Sequence, residues 1–279
     1  MAATQERLNT IKRMEELERA GQFDIDPWEN PPYEPIKPGQ VDYLRKKLSS
    51  KIKNKICNIA VNKFIKKMEK AHQSSIREIK GLEKLEGITG GAMITSNHFN
   101  PFDCYPIIKM VQQLKPKKKL QIVLAEHNYA GGTGFYGYVF KHYNTIPLAQ
   151  NPRAMVECVK AIEYYLNKNQ FVLIYPEQAL WENYKKPRPL KQGAFRFAVK
   201  ANVPVIACFV TMEDTEYMAS NGEPVQEYTL HILKVIYPDK NLSPKENIEN
   251  MKNETQRLMK EKYEEVYGIE LTYLTKEES

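Results

Sequence analysis

No window of eighteen apolar residues occurs in this 279-residue sequence, so no segment is expected to span a bilayer. Met1 to Leu17 alternates charge with apolar residues and has no uninterrupted apolar stretch, which argues against a secretory signal there. Cysteine is scarce. Cys57, Cys104, Cys158 and Cys208 are widely scattered, with no CxxC and no Cys/His cluster, so neither a zinc site nor a disulfide framework is expected. Four thiols without a secretory segment fit a reducing cytoplasm. Nucleotide fingerprints are missing too: Gly131-Gly132-Thr133-Gly134 is neither GxGxxG nor a P-loop, and a turn or a close backbone approach accounts for it. There is no internal repeat and no low-complexity tract. With 42% hydrophobic and 27% charged residues the chain is globular rather than disordered, and its length fits a single α/β domain with an added segment.

What is present in excess is positive charge, and it is local. Residues 41–80 carry twelve Lys or Arg against Asp42, Glu69 and Glu78, which gives +9 for that segment and −2 for the rest. On a helical wheel Val41, Leu44, Leu48, Ile52, Ile56 and Ile59 share one stripe about 120° wide. Beyond residue 60 the apolar residues Val61, Phe64, Ile65 and Met68 shift to another sector, with Lys63, Lys66, Lys67 and Lys70 opposite. The phase change near Ala60 predicts two amphipathic helices or one bent helix. Its basic face fits either a solvated surface or an anionic lipid surface, where each basic residue contributes about 1 kcal/mol.

Ahead of this element, residues 4–20 have helical composition. Pro27, Pro31, Pro32, Pro35 and Pro38 then forbid regular structure, which predicts an extended tether that Trp28 and Tyr33 could pin to a surface. From Gly87 the pattern is α/β. Ala92–Ser96, Leu120–Ala125, Thr145–Leu148, Phe171–Tyr175, Val203–Thr211 and Tyr228–Ile236 suit buried strands. Helices are expected over Ala154–Leu166 after Asn151-Pro152, over Gly193–Lys200, and from the capping box Ser243-Pro244-Lys245-Glu246 to Gly268. The fold class is thus α/β, a mixed central sheet flanked by helices, with an N-terminal basic amphipathic two-helix element.

The sharpest chemical feature is Asn97-His98-Phe99-Asn100-Pro101-Phe102-Asp103, running out of a buried strand into a helix that restarts at Pro101. A histidine at the carboxyl end of a strand sits where open α/β sheets place ligands. An aspartate five residues on can reach back to one ring nitrogen, leaving the other to take a hydroxyl proton. From spacing alone, a helix-capping Asp and an incidental His account for the same residues. Phe171–Tyr175 ends in Pro176-Glu177, which aims a carboxylate at the same sheet edge. Arg188 and Lys191 precede a helix N-terminus, an arrangement that suits a phosphate or an exposed basic loop. His72, His127, His142 and His231 have no ligand-like spacing and read as ordinary surface or core residues.

In this order, the blocks resemble the lysophosphatidic acid acyltransferase family of glycerolipid synthesis. Asn97, His98 and Asp103 match its Asn-His-x4-Asp. Gly134, Phe135 and Ile146-Pro147-Leu148 match its second block, and Pro176-Glu177 the start of Phe-Pro-Glu-Gly-Thr-Arg. Lys191, Gly193, Phe195 and Val203-Pro204-Val205-Ile206 follow as in the family. The resemblance spans roughly residues 80–240. It divides the chain into a helix and Pro-rich tether (1–40), the basic element (41–80) and an acyltransferase domain (81–279) whose last helix covers 243–267.

The resemblance implies direct acyl transfer from acyl-CoA or acyl carrier protein to a lysophosphatidate-like hydroxyl, with His98 as general base oriented by Asp103. No cofactor and no metal are implied. Asn97, Glu177, Arg188, Lys191, Arg153 and Trp181 would bind substrate, and the chain would lie peripherally on the inner, cytoplasmic face of the cell membrane, on anionic lipid. Two departures bear on the acceptor: Gly-Thr-Arg of the third block becomes Gln178-Ala179-Leu180, and the second block's Arg becomes Gln150. Arg188, Lys191 and Arg153 could substitute; otherwise the acceptor lacks that phosphate and Trp181 packs a sugar or other headgroup. Hydrolysis by the same pair and a non-catalytic lipid-binding module are the other classes. Nucleic acid is disfavoured, because the lysines are not interleaved with aromatics and no reader motif is present.

Overall fold

In the computed structural model, which describes residues 3–30 and 32–275, the apolar runs of the sequence become one seven-stranded sheet. Its strands are β1 (Ser75–Lys80), β2 (Ala92–Thr95), β3 (Leu120–Leu124), β4 (Thr145–Pro147), β5 (Phe171–Ile174), β6 (Val205–Met218) and β7 (Pro224–Ile236). Their spatial order is β1-β7-β6-β2-β5-β3-β4. Strands β2 to β6 run parallel, whereas β6 and β7 form an antiparallel hairpin and β1 lies parallel to β7, so the sheet is mixed. Strand β6 outruns its apolar stretch by pairing polar residues across the hairpin, Glu213 opposite Glu227 and Asp214 opposite Gln226. Hydropathy alone could not extend it.

Alternation along the central strands builds two cores. Ile94 and Leu173 face one cluster, which takes in Cys57, Val61 and Ile65 of α2 (Leu48–Lys70) and Ile107 and Met110 of α3 (Cys104–Gln113). Met93 and Val172 face the other. There they meet α6 (Pro152–Asn167), α7 (Gly193–Ala201) and α8 (Pro244–Tyr267) through Ile162, Phe195 and Met259. Helix α8 starts with the expected capping box at Ser243 and Glu246 and ends at Gly268 in the left-handed region.

Helices α4 (Glu126–Gly131) and α5 (Gly134–His142) carry no clear 3.6-residue pattern and were not expected. Their glycines let the two helices touch: a Cβ at Gly132 would lie 2.4 Å from the Asn128 carbonyl oxygen, and one at Gly137 2.3 Å from that of Gly132.

Of the two shapes expected for the basic element, it takes that of one helix rather than two: α2 covers Leu48–Lys70, not all of 41–80, and Ser75–Lys80 is strand β1. The two apolar sectors are opposite faces of this helix. Cys57, Val61 and Ile65 pack on the sheet, while Leu48, Ile52, Ile56 and Ile59 face outward at 73%, 52%, 53% and 51% exposure. Val41 and Leu44, expected on that stripe, pack against the second core instead. Arg45 turns inward at φ 50°, donating to Tyr165 Oη at 2.8 Å and the Tyr143 carbonyl at 2.6 Å. It therefore leaves the basic face. No helix among the described residues is long and apolar enough to cross a membrane.

At the N-terminus, α1 (Gln5–Arg19) packs Met14 and Leu17 onto Trp181. The tether then crosses the carboxyl ends of β5, β3 and β4: Asp26 Oδ1 accepts from Leu180 N at 2.9 Å, and Glu126, after β3, accepts from Ile36 N at 2.6 Å and Gln150 N at 3.1 Å. Pro31 of the tether lies outside the described residues.

Candidate active site

Strands β2 and β5 are neighbours in parallel register, so the segments leaving their carboxyl ends, Ser96–His98 and Tyr175–Glu177, emerge side by side. Asn97 adds a side-chain rung to the sheet: its Nδ2 donates to the Val210 carbonyl at 2.9 Å and its Oδ1 accepts from Val210 N at 2.8 Å. Both ends of its amide are thereby engaged by β6, so its place is structural rather than in contact with substrate.

The next residues bend sharply. Asn100 Oδ1 accepts from Phe102 N at 2.9 Å, and Asp103 N donates to the Asn100 carbonyl at 3.0 Å, a turn that Asn-Pro favours. This brings Asp103 back over His98. Asp103 occupies the N-cap position of α3, yet its side chain makes no capping bond. Its Oδ2 instead meets His98 Nδ1 at 2.5 Å and accepts from Phe99 N at 3.2 Å. The imidazole stacks on Tyr175, centroids 4.3 Å apart and planes 9° from parallel. Its Nε2 has no hydrogen-bond partner among the described residues, and the side chain is 21% exposed against 3% for Asp103.

The environment keeps neighbouring acids neutral. Burial, then the charge of Asp103, raises the Tyr175 phenol well above its usual range. The same two causes push the Cys104 thiol up to about 12, so no thiolate stands beside the pair at neutral pH.

The residues expected to hold an acceptor are distributed differently. Glu177 and Arg188 form a buried ion pair at 2.8 Å, 2% and 1% exposed. Lys191 pairs with Asp24 of the tether at 2.8 Å. Trp181, expected against a headgroup, is fully enclosed by Phe23, Tyr184 and α1 and donates its Nε1–H to the Ile25 carbonyl at 2.8 Å. Arg153 lies exposed on the first turn of α6, and its guanidinium has no partner among the described residues. The His98–Asp103 pair is thus assembled, while these five residues do not form one open subsite. No group of three or more His, Cys, Asp or Glu side chains among the described residues is arranged to hold a metal ion.

Two features of the site leave no periodic signal in the sequence. Tyr175 ends a buried strand, yet it precedes Pro-Glu where the resemblance puts an aromatic residue. Phe64 of α2 meets Phe102 at 5.4 Å and Phe135 at 5.2 Å, so an aromatic cluster joins the basic helix to the His98 loop. Gln178 stands where the third block has glycine and adopts φ 70°, so the left-handed turn persists without it.

A family model described as Acyltransferase matches residues 73–211, a stretch that contains β2, the His98–Asp103 turn, β5 and most of β6's apolar run. The chain belongs to the acyltransferase family. Within the family it is 28% identical over 130 residues to the chloroplastic 1-acyl-sn-glycerol-3-phosphate acyltransferase BAT2 of Brassica napus, covering 46% of this chain and 35% of that one. It is 27% identical over 129 residues to the chloroplastic 1-acyl-sn-glycerol-3-phosphate acyltransferase LPAT1 of Arabidopsis thaliana, covering 46% and 34%. The chain thus spans about a third of the length of these curated relatives. The fold is that of the crystal structure of the 1-acyl-sn-glycerophosphate (LPA) acyltransferase PlsC from Thermotoga maritima, with a TM-score of 0.54, 18% identity and coverage of 82% of this chain and 87% of that one.

Proposed function

We propose that the protein is a membrane-surface O-acyltransferase that moves a fatty acyl chain from acyl-CoA or acyl carrier protein to the hydroxyl of a lysophosphatidate-like acceptor. The observation that carries this reading is the Asp103 carboxylate turned onto His98 Nδ1 rather than onto the amides of α3. With Nδ1 carrying the proton, Nε2 is the base. The acceptor oxygen attacks the thioester carbonyl as its proton passes to His98 Nε2. The tetrahedral intermediate then collapses, the C–S bond breaks, and the thiolate takes the proton from the imidazolium. An ester and a free thiol leave, and His98 returns to its neutral form. The protonated Cys104 thiol supports direct transfer without a cysteine-bound intermediate.

Helix α2 supports action on a membrane. Its outer face is apolar from Leu48 to Ile59 and then basic through Lys63, Lys66, Lys67 and Lys70, all exposed. The apolar part is about 16 Å long at ~1.5 Å per residue. Such a face suits peripheral attachment, with isoleucines below the headgroups and lysines among anionic ones, on the inner face of the cell membrane. The pairing of Arg188 with Glu177 and of Lys191 with Asp24 favours a second reading, in which the acceptor lacks the phosphate or presents it to Arg153 alone.

Incubating the purified chain with anionic vesicles, one labelled acyl thioester and mixed lyso-acceptors, followed by lipid mass spectrometry, tests the proposal. Acylated lysophosphatidate is expected from the native chain and none from His98→Ala. More than a few percent of product from His98→Ala refutes the mechanism. Acylation of phosphate-free acceptors alone selects the second reading. Thioester cleavage that ignores the acceptor marks a hydrolase.

A further inference from the structure

The backbone of His98 is held at both of its polar groups by one buried ion pair. Its N–H donates to Glu177 Oε2 at 3.0 Å, and its carbonyl accepts from Arg188 Nη2 at 2.9 Å. Arg188 returns to the same Glu177 oxygen through Nε at 3.1 Å and Nη2 at 2.8 Å, and its own N–H donates to Glu177 Oε1 at 2.8 Å. The rest of the guanidinium is occupied as well. Nη2 also donates to the Ala179 carbonyl at 2.6 Å and Nη1 to the Phe23 carbonyl of the N-terminal segment at 3.0 Å. Trp181 completes the enclosure: the guanidinium lies 4.9 Å over its ring, and its backbone N–H gives the His98 carbonyl a second bond at 3.2 Å.

We infer that Arg188 is a positioning residue for His98, acting through the backbone, and not a ligand of the acceptor. The inference rests on the reading of His98 as the general base. Asp103 and Tyr175 set how the imidazole is turned, but neither fixes where its Cα stands. The Glu177–Arg188 pair does that, by gripping the N–H and C=O on either side of that atom. A buried ion pair adds little net stability over apolar residues of the same volume, so its contribution here is geometric. Only a planar guanidinium can meet a carboxylate edge and three carbonyls from different segments at once; an ammonium is a point charge with three donors and no fork. The same occupancy explains why Arg188 cannot receive a phosphate. Every N–H-bearing nitrogen of its side chain already has a partner, and it is 1% exposed.

Arg188→Lys keeps the charge and removes the fork. In the full chain kcat is expected to fall roughly 10- to 100-fold, the scale of a displacement near 1 Å. KM for acceptor and donor should stay within about threefold, because that change acts on the reacting geometry rather than on binding. The downfield proton resonance of His98 Nδ1–H, assigned by its loss in His98→Ala, should shift or broaden. If Arg188→Lys does not fold, the isosteric Glu177→Gln carries the same two readings. An unchanged kcat, or a rise in acceptor KM alone, overturns the positioning role. Activity in His98→Ala overturns the reading of His98 as base, and the positioning role with it. An inactive His98→Ala beside a fully active Arg188→Lys overturns the positioning role by itself.

Discussion

Replacing Asp103 by asparagine and by alanine separates two things its carboxylate does, and the structure sets a different size for each. Both neighbouring donors, His98 Nδ1 and Phe99 N, converge on the same oxygen, Oδ2, at 2.5 and 3.2 Å. An asparagine can put its single carbonyl oxygen there and satisfy both. In the flipped orientation its NH2 would face the Phe99 N–H, leaving that buried donor unmatched at a cost of about 1–3 kcal/mol. Asparagine should therefore keep the tautomer with the proton on Nδ1 and lose only the negative charge opposite the developing imidazolium. Exchanging a hydrogen bond to a charged group, about 1.5–3 kcal/mol, for a neutral one, about 0.5–1.5 kcal/mol, forfeits roughly 1–1.5 kcal/mol. At ~1.36 kcal/mol per tenfold, that corresponds to a fall in kcat of about 5- to 13-fold.

Asp103→Ala removes the charge and the tautomer control together. Wrong-tautomer variants of comparable pairs lose on the order of 10⁴-fold, so alanine should be at least tenfold worse than asparagine. Acceptor-dependent release of thiol from an acyl thioester, at saturating concentrations of both substrates, measures the two rates. Thermal unfolding confirms that both variants are folded. An asparagine variant as slow as the alanine one refutes the shared-oxygen argument. An alanine variant within tenfold of the native chain removes Asp103 from the mechanism.

The membrane face and the pH dependence of stability can be tested alongside. Ile52→Glu with Ile56→Glu changes side chains that are more than half exposed, so the fold should persist. Each isoleucine withdrawn from lipid forfeits about 1.5–3 kcal/mol, and vesicle sedimentation should drop at least ~100-fold at any salt. Neutralising Lys63, Lys66 and Lys67 should weaken binding by about 1 kcal/mol each, and only at low salt; unchanged sedimentation in both sets refutes the docking of α2. His231 is 5% exposed, its Nε2 lies 3.0 Å from Thr211 Oγ1, and burial, followed by Lys262 and Lys80 and opposed by Glu265 and Glu78, lowers its pKa to about 4. Between about 6.5 and 4 the unfolded chain binds a proton that the folded one refuses, so this contribution is present above that window and is lost as pH falls through it. In His231→Gln the difference in urea stability between pH 7 and pH 4.5 should shrink by about 2 kcal/mol, and an unchanged difference refutes the assignment.

The central strands were legible because each buried strand is a short apolar run, and Ile94 or Leu173 has nowhere else to go. The His98–Asp103 pair was legible as a motif, although spacing could not tell a capping Asp103 from an orienting one. That choice depends on the Asn100 turn, which swings the carboxylate off the axis of α3. Helix α2 shows a different limit. A wheel gives the angle between its two apolar stripes but not which one meets the core, and the stripe of Leu48, Ile52, Ile56 and Ile59 turned out to face away from it. Arg188 shows a third. Three of its partners are the carbonyls of His98, Ala179 and Phe23, and main-chain acceptors leave no trace in a pattern of residue types.

The distribution of charge bears on how, under the proposed function, the chain would meet its substrates. The outer face of α2 carries Lys63, Lys66, Lys67 and Lys70, all exposed, with Glu69 as the one carboxylate of the helix and that paired to Lys109 at 2.7 Å, so the field of this face is positive and projects outward. In the segment after β5 the opposite holds: Lys186 pairs with Glu18 at 2.7 Å, Arg188 with Glu177 at 2.8 Å and Lys191 with Asp24 at 2.8 Å. Two of those three carboxylates come from the first 24 residues, so the N-terminal segment both encloses Trp181 and cancels the charge of Lys186 and Lys191. On the proposed function, attraction to an anionic bilayer would therefore be separated in space from recognition of the acceptor. If α2 docks on an anionic bilayer as proposed, a lysophosphatidate would be concentrated near the site by that surface, and would then have to be selected by its hydroxyl and by Arg153 rather than by a cluster of free cations. On this reasoning, salt should weaken attachment to the membrane far more than it weakens transfer once the enzyme is bound.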